Sequence, residues 1–225
     1  MENIGRAFTY PFDDREWLPK IVIGGVILVV PILNFAFFGY ALTVMQAVME
    51  NRLADLPDWS DFSTKWKRGL YIFLAALIYG LPAYLLVACA YVPLIIASSQ
   101  PSDSEGALAL LSLSLMCVAV ILVMVYALLV LLIAPFLAGM YIQADEFKAF
   151  FRLRGAFDML KANLGDAVII LLLTIVASII GSLGVYFCVI PMIFTLPYSY
   201  LIIAHLYGQL YRQAEATRSL KQLAS

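Results

Sequence analysis

Charge and histidine are what this sequence has least of. Only 13% of its 225 residues are Asp, Glu, Lys or Arg and 64% are apolar, against about 25% charged and roughly 45–50% apolar in soluble proteins. A water-soluble fold of this length cannot hide that much apolar surface. A single histidine, His205, excludes a metal cluster built from the histidines of one chain. The three cysteines, Cys89, Cys117 and Cys188, each sit inside an apolar run with no Cys-x-x-Cys spacing, so they read as small buried residues rather than metal ligands. Fourteen Lys and Arg against fifteen Asp and Glu leave a net charge of -1, with no basic surface for nucleic acid and no charged tail. No Gly-x-Ser-x-Gly elbow, Walker loop, His-Glu-x-x-His or dinucleotide fingerprint is present. Catalytic residues, cofactors and metals are therefore not expected, and neither is an enzyme. The opening residues are mixed in charge and lead into no small-x-small cleavage pattern, so the first apolar segment is expected to stay in the mature chain.

What is there is a set of apolar blocks fenced by bases. The Lys and Arg residues fall in four clusters: Arg6, Arg15, Lys20; Arg52, Lys65, Lys67, Arg68; Lys148, Arg152, Arg154, Lys161; and Arg212, Arg218, Lys221. Blocks 21–51, 69–147 and 162–211 carry none. Short cytoplasmic loops collect Lys and Arg, so the simplest topology puts all four clusters and both termini inside, and each block must leave that face and return. Segments 69–97 and 107–142, parted by a Ser/Pro/Asp-rich turn, form one pair of transmembrane helices. Segments 163–184 and 191–211 form another, with a break expected around Gly181-Ser182-Leu183-Gly184 and with Pro191 opening the returning helix.

Block 21–51 is too short for two crossings and a turn. Two readings stand: a re-entrant hairpin over 17–50, whose first arm Trp17 to Val30 reaches only ~21 Å at 1.5 Å per residue, or a single fifth span. Weak internal similarity supports the hairpin and gives Pro31 the helix-starting role of Pro191. Gly24-(x4)-Val29-Val30-Pro31-Ile32-Leu33-(x6)-Tyr40 lies over Gly184-(x4)-Val189-Ile190-Pro191-Met192-Ile193-(x6)-Tyr200 without a gap. The expected fold is an all-α polytopic bundle of four full spans plus this hairpin or fifth span, forming a single membrane domain over 1–225.

Two surface segments stand out. In 145–162, Phe147, Phe150, Leu153, Phe157 and Leu160 recur at three- and four-residue steps while Lys148, Arg152, Arg154 and Lys161 supply charge, which predicts an interfacial helix in contact with lipid. The plainer alternative is a connector packed on the bundle. The stretch from Asn51 to Phe62 combines turn chemistry at Pro57, acids at Asp55, Asp58 and Asp61, and the aromatics Trp59 and Phe62. It reads either as a self-neutralising loop, with Asp58 or Ser60 capping the next helix, or as a surface that docks a partner. A related pattern, Pro11-Phe12-Asp13-Asp14-Arg15-Glu16-Trp17, opens the chain.

The order Val30-Pro31-Ile32-Leu33-Asn34, Gly39-Tyr40, Leu56-Pro57-Asp58-Trp59-Ser60-Asp61-Phe62 and a Gly69-led helix, followed by Ala156-Phe157 and Asn163, resembles a group of prokaryotic multi-pass membrane proteins catalogued only as a domain of unknown function. The resemblance covers most of the chain. It implies a location in the prokaryotic cytoplasmic (inner) membrane and brings no activity with it.

Ionisable residues inside membrane spans mark transport and proton relay because burying charge in lipid is costly. The four spans hold almost none; Lys20, Asp145, Glu146, Lys161 and Asp166 lie near predicted ends. The intramembrane polar residues of interest are Asn34, Gln46 and His205, with hydrogen bonding between helices as the ordinary role and a haem or pigment ligand as the sharper one for His205. Pro82, Pro93, Pro135, Pro191 and Pro197, with Gly80, Gly139, Gly181 and Gly184, are expected to bend or open helices, which can line a solute path or serve as ordinary packing features. The expected function is a non-enzymatic accessory, assembly or scaffold subunit of a membrane complex, with lipids and other membrane chains as partners; the alternative is a channel or carrier for an uncharged or amphipathic solute.

Overall fold

A computed structural model of the protein describes residues 5–52, 55–97, 105–187 and 189–223. All regular structure among them is helical: α1 (Arg6–Thr9), a 3-10 turn (Tyr10–Asp13), α2 (Trp17–Val29), α3 (Asn34–Met49), α4 (Phe62–Ala97), α5 (Glu105–Ala144), a second 3-10 turn (Phe147–Phe151), α6 (Leu153–Ala162), α7 (Leu164–Phe187) and α8 (Val189–Leu223). Among the described residues three helices are long and apolar enough to cross a membrane, over Phe62–Pro93, Leu108–Ala144 and Leu164–Gly184, and α2 and α3 are shorter apolar helices.

The chain forms two compact units, residues 1–73 with 132–225, and residues 74–131. In the larger one α8 is the central helix. Between Pro191 and Ala214 only Phe194 is exposed, and α8 packs against α1, α2, α3, α6 and α7. A helix surrounded by protein has no need of an unbroken apolar surface, which is why α8 tolerates Ser199 and His205 in buried positions and is not among the three apolar spans. The α7 and α8 helices form a hairpin. Gly181 faces Ser199 and Gly184 faces Thr195 and Met192, while further from the turn Asp166 accepts from Gln213 at 2.7 Å.

The break expected at Gly181–Gly184 is absent, since α7 runs on to Phe187. A Cβ at Gly181 would lie 2.5 Å from Ser199 Oγ, and one at Gly184 would lie 2.9 Å from Met192 Cα. These glycines admit α8 rather than end α7. A reciprocal pair does the same between α3 and α4: a Cβ at Gly39 would sit 1.7 Å from the Lys65 carbonyl oxygen, and one at Gly69 would sit 1.7 Å from that of Phe35.

Helix ends follow local chemistry. Asn51, at φ 54°, closes α3. Its N–H donates to the Val48 carbonyl at 3.1 Å and the Arg52 N–H to that of Ala47 at 2.9 Å, so the last carbonyls of α3 are satisfied as in a Schellman motif. Asp145, at φ 49°, ends α5 with its N–H on the Tyr141 carbonyl at 2.8 Å. Asp61, at φ 56°, and not Asp58 or Ser60, takes the position before α4. Pro31 does not start α3, which begins at Asn34. It sits in the turn after α2, beside Ile32 at φ 72°, a left-handed conformation that a β-branched residue adopts only under strain. Pro82, Pro93, Pro135 and Pro197 lie within continuous helices.

In the 74–131 unit, the Tyr126 hydroxyl donates to the Tyr79 carbonyl at 2.7 Å and the Ser112 hydroxyl to that of Ala90 at 3.3 Å, which fixes the register of the two antiparallel arms. Their outer surfaces are apolar and open, with Tyr84 69% and Leu110 70% exposed. Cys89 and Cys117 are exposed there too and not buried as their apolar surroundings imply; Cys188 lies outside the described residues.

Candidate functional site

The most concentrated polar chemistry in the larger unit joins the two Pro/Asp/Trp segments that the sequence places far apart. Asp14 is 5% exposed. One of its carboxylate oxygens accepts from the Glu16 N–H at 2.7 Å, just ahead of α2, and the other accepts from Lys20 Nζ at 2.8 Å and from the Leu56 N–H at 3.1 Å. The Lys20 ammonium also donates to the Leu56 carbonyl at 2.8 Å and reaches Asp58 at 3.3 Å. Burial alone would push the Asp14 carboxyl up, but the Lys20 ammonium and the N–H groups of Glu16 and Leu56 stabilise the charged form and hold it below its ordinary value. A paired, fully hydrogen-bonded charge can be buried where an isolated one cannot.

Around this pair the loop before α4 is clamped. Trp59 stacks on Tyr40 with ring centroids 4.3 Å apart and planes 8° from parallel. Its indole N–H donates to the Lys20 carbonyl at 3.1 Å, and the Tyr40 hydroxyl donates to the Pro57 carbonyl at 2.9 Å. Both polar handles of this aromatic pair are thus satisfied within the chain. Of the loop residues singled out from sequence, Asp55, Asp58, Asp61 and Phe62 are exposed, while Pro57 and Trp59 are half-buried.

A second polar layer ties the ends of four helices. Arg68 donates to Gln46 at 3.0 Å and to Asp145 at 3.4 Å. Gln46 in turn donates to Glu50 at 3.1 Å. Arg212 donates to the Asn51 side chain at 2.8 Å, and the Tyr211 hydroxyl donates to Gln143 at 2.9 Å, with Gln143 also donating to Glu215. Gln46 therefore belongs to an inter-helix network. Asn34 is half-buried at the start of α3, and its side-chain oxygen has no protein partner. His205 is 5% exposed and its Nδ1 has no protein partner. The Tyr10 ring stacks on it at 4.6 Å and 25°, which covers one face of the imidazole. No group of three or more His, Cys, Asp or Glu side chains placed to hold a metal occurs among the described residues.

The 145–162 segment is not one helix. Its first half is the 3-10 turn Phe147–Phe151 and its second is α6, with Arg152 between at φ -77°, ψ 55°. Phe150 is buried and stacks on Tyr141 at 4.4 Å. Ala156, Met159 and Leu160 also face inward, and the buried Asn163 closes α6 while its carbonyl accepts from the Ala167 N–H at 3.0 Å in the first turn of α7. The periodic stripe read from the sequence is therefore divided. Phe150 and Leu160 belong to the core, whereas Phe151, Leu153 and Phe157 are exposed beside Lys148, Arg152, Arg154 and Lys161.

Sequence reasoning missed Asp14 as a site residue and treated Lys20 as a residue near a helix end. The repeated Pro/Asp/Trp pattern in 11–17 and 57–59 was the available signal, since it marked two loops of matching chemistry. Neither curated proteins nor solved structures give a match. A family described as "Protein of unknown function (DUF4013)" matches residues 23–205. That span takes in α3 and its Tyr40, the clamped loop before α4, the divided 145–162 segment and His205, so the chain belongs to this family of unknown function.

Proposed function

We propose that this protein is a non-enzymatic accessory, assembly or scaffold subunit of a membrane complex in the prokaryotic cytoplasmic membrane, associating through the α4–α5 hairpin. The carrying observation is the length of apolar surface there. The stretch Leu108–Ala144 in α5 contains 37 residues, none of them charged, about 55 Å of helix at 1.5 Å per residue; Phe62–Pro93 in α4 carries Lys65, Lys67 and Arg68, and its charge-free part, 69–93, reaches about 38 Å. A hydrocarbon core is ~30 Å thick, and even a 40° tilt lengthens the path to only about 39 Å. The 21 residues of Leu164–Gly184 in α7 match the core at about 31 Å. Lipid of ordinary thickness therefore covers α4 but leaves part of α5 uncovered, and apolar helices of another membrane chain would cover it.

The topology that accompanies this reading has four full spans, α4, α5, α7 and the central α8, with all four basic clusters and both termini cytoplasmic. The 13 residues of α2 and 16 of α3 reach about 20 and 24 Å, lengths that support a re-entrant hairpin over a fifth span. Cysteines placed singly at Ser63, Ala162 and Ser219 in a Cys-free background should react only from the cytoplasmic side. Reaction of Ala162→Cys from outside would reject this topology.

For the association itself, a photoreactive side chain is placed singly at Leu85, Leu110 or Leu113 on the hairpin and at Leu172 on α7, all exposed. Irradiation of intact membranes should give a protein adduct of one discrete mass from the hairpin positions and lipid adducts alone from Leu172. Lipid adducts alone from every position would end the association reading.

A further inference from the structure

We propose that the outward face of the 147–161 segment is a docking site for anionic phospholipid headgroups. The covalent path places it. Apolar span Leu108–Ala144 ends three residues before Phe147, and the next, Leu164–Gly184, begins three residues after Lys161, so on the reading that both helices cross, this connection is held at a membrane surface. The inference rests on that membrane reading and is independent of any partner of the α4–α5 hairpin.

Packing then decides which face meets the headgroups. Ala149, Phe150, Ala156, Met159 and Leu160 point into the protein, and Gly155 lies against Met140, where an added Cβ would meet the methionine methyl at 3.0 Å. That anchoring turns Lys148, Arg152, Arg154 and Lys161 outward. Only Arg152 has a carboxylate within ion-pair reach among the described residues, Glu146 at 4.0 Å. Asp158 is the one other acid between them and is itself exposed. Three bases are left available to an external anion.

Interleaved with them are the exposed apolar side chains Phe151, Leu153 and Phe157. In water this would be a costly surface. At a bilayer the rings and the Lys and Arg stems sit at the acyl boundary while the cationic heads reach phosphate oxygens. The net charge of the 146–161 stretch is positive, four bases against Glu146 and Asp158, which complements an anionic leaflet and gives little reason to prefer a zwitterionic one. Each base near such a leaflet favours binding by about fivefold at low salt.

The test uses the full chain, exchanged in nanodiscs between equal amounts of phosphatidylglycerol and phosphatidylcholine, and reads the ratio of the two lipids retained after extraction. The wild type should retain phosphatidylglycerol in several-fold excess at 50 mM NaCl, falling towards the input ratio at 1 M, where screening reaches within ~3 Å. The variant K148Q/R152Q/R154Q/K161Q should stay at the input ratio, and K148R/K161R should keep the excess. Neutralising Arg6, Arg52, Lys67 and Arg218 together should also leave it. Folding is checked by thermal unfolding in phosphatidylcholine alone. If the quadruple variant does not fold, Lys148→Gln and Arg154→Gln singly, both at exposed positions, must each lower the excess. No preference in the wild type, an unchanged excess in the 148–161 variants, or equal loss from the second set of four would overturn the proposal.

Discussion

The α4–α5 hairpin and the α7–α8 pair are both apolar helical hairpins, yet their side chains meet different surroundings. In the most apolar stretches of α4 and α5 only 6% and 11% of residues are buried, against 39% in α7. The α7 helix is two-sided: Ala167, Ile170 and Ala177 face inward, while Leu172, Ile175, Val176 and Ile179 are exposed. Among the described residues of 74–131, buried positions are few and small, Ala75, Ala90, Ser112 and Ala119, with the Ser112 hydroxyl on the Ala90 carbonyl. Apolar character alone therefore does not distinguish a helix that builds a core from one that offers its surface to lipid or to another chain. Small residues facing a specific neighbour do, because they let backbones approach where dispersion and hydrogen bonding replace the hydrophobic effect.

Glycine substitution breaks this comparison most sharply. Gly39→Ala or Gly69→Ala drives a methyl against a backbone carbonyl oxygen 1.7 Å away and should cost about 3 kcal/mol or more through overpacking. In the hairpin, Gly80→Ala meets only the ring of Tyr84, at 2.9 Å, an exposed side chain that can move. It should be neutral or stabilising by up to about 1 kcal/mol through helix propensity. Thermal unfolding in mild detergent measures all three, and comparable losses would mean that the hairpin arms are as tightly packed as the α3–α4 crossing.

Next in size is the buried ion pair, for which the hairpin has no counterpart among its described residues. Asp14→Ala removes the acceptor of Lys20 Nζ and of two backbone N–H groups and should destabilise by about 2–4 kcal/mol. Asp58→Ala removes a 74% exposed partner of the same lysine and should cost under about 1 kcal/mol. Equal effects in urea or thermal unfolding would show that Asp14 acts only as a surface charge.

The same carboxylate sets a pH limb. Its folded value lies below the ordinary 3.8, so its contribution is fully present above that value and is lost as pH falls through the lower folded one. Stability of the wild type should drop from about pH 4 downward more steeply than that of Asp14→Asn. Parallel pH profiles would remove Asp14 from the account.

The smallest effects compare a strained turn with a free surface. Ile32 is 66% exposed at φ 72°, and Ile32→Gly should stabilise by about 1 kcal/mol by relieving the left-handed strain. Leu113→Ala, on the open face of the hairpin, should change stability in detergent by less than about 0.5 kcal/mol. A large loss there would place Leu113 in a packed contact.

Much of the molecule is legible in its sequence. Hydropathy marked the long helices, and Asn51 and Asp145 stand where helices end because Asn and Asp accept left-handed φ at low cost. The candidate site was legible only in halves, as two loops of like composition, since nothing local to Asp14 or to Leu56 states that they meet.

By itself the sequence determined that this protein is helical, that it holds helices long and apolar enough to cross a membrane, and that its bases gather between them, because hydropathy and helix propensity act over a few residues. Only the tertiary structure decided which residues are inside. It joined Asp14 and Lys20 to Leu56 across about forty residues, sent Phe150 and Leu160 into the core while Phe157 faced out, and used Gly181 and Gly184 for contact instead of a turn. Those outcomes depend on which surfaces approach within a few ångströms, and a glycine or a phenylalanine is locally the same residue whether a neighbouring helix arrives or not.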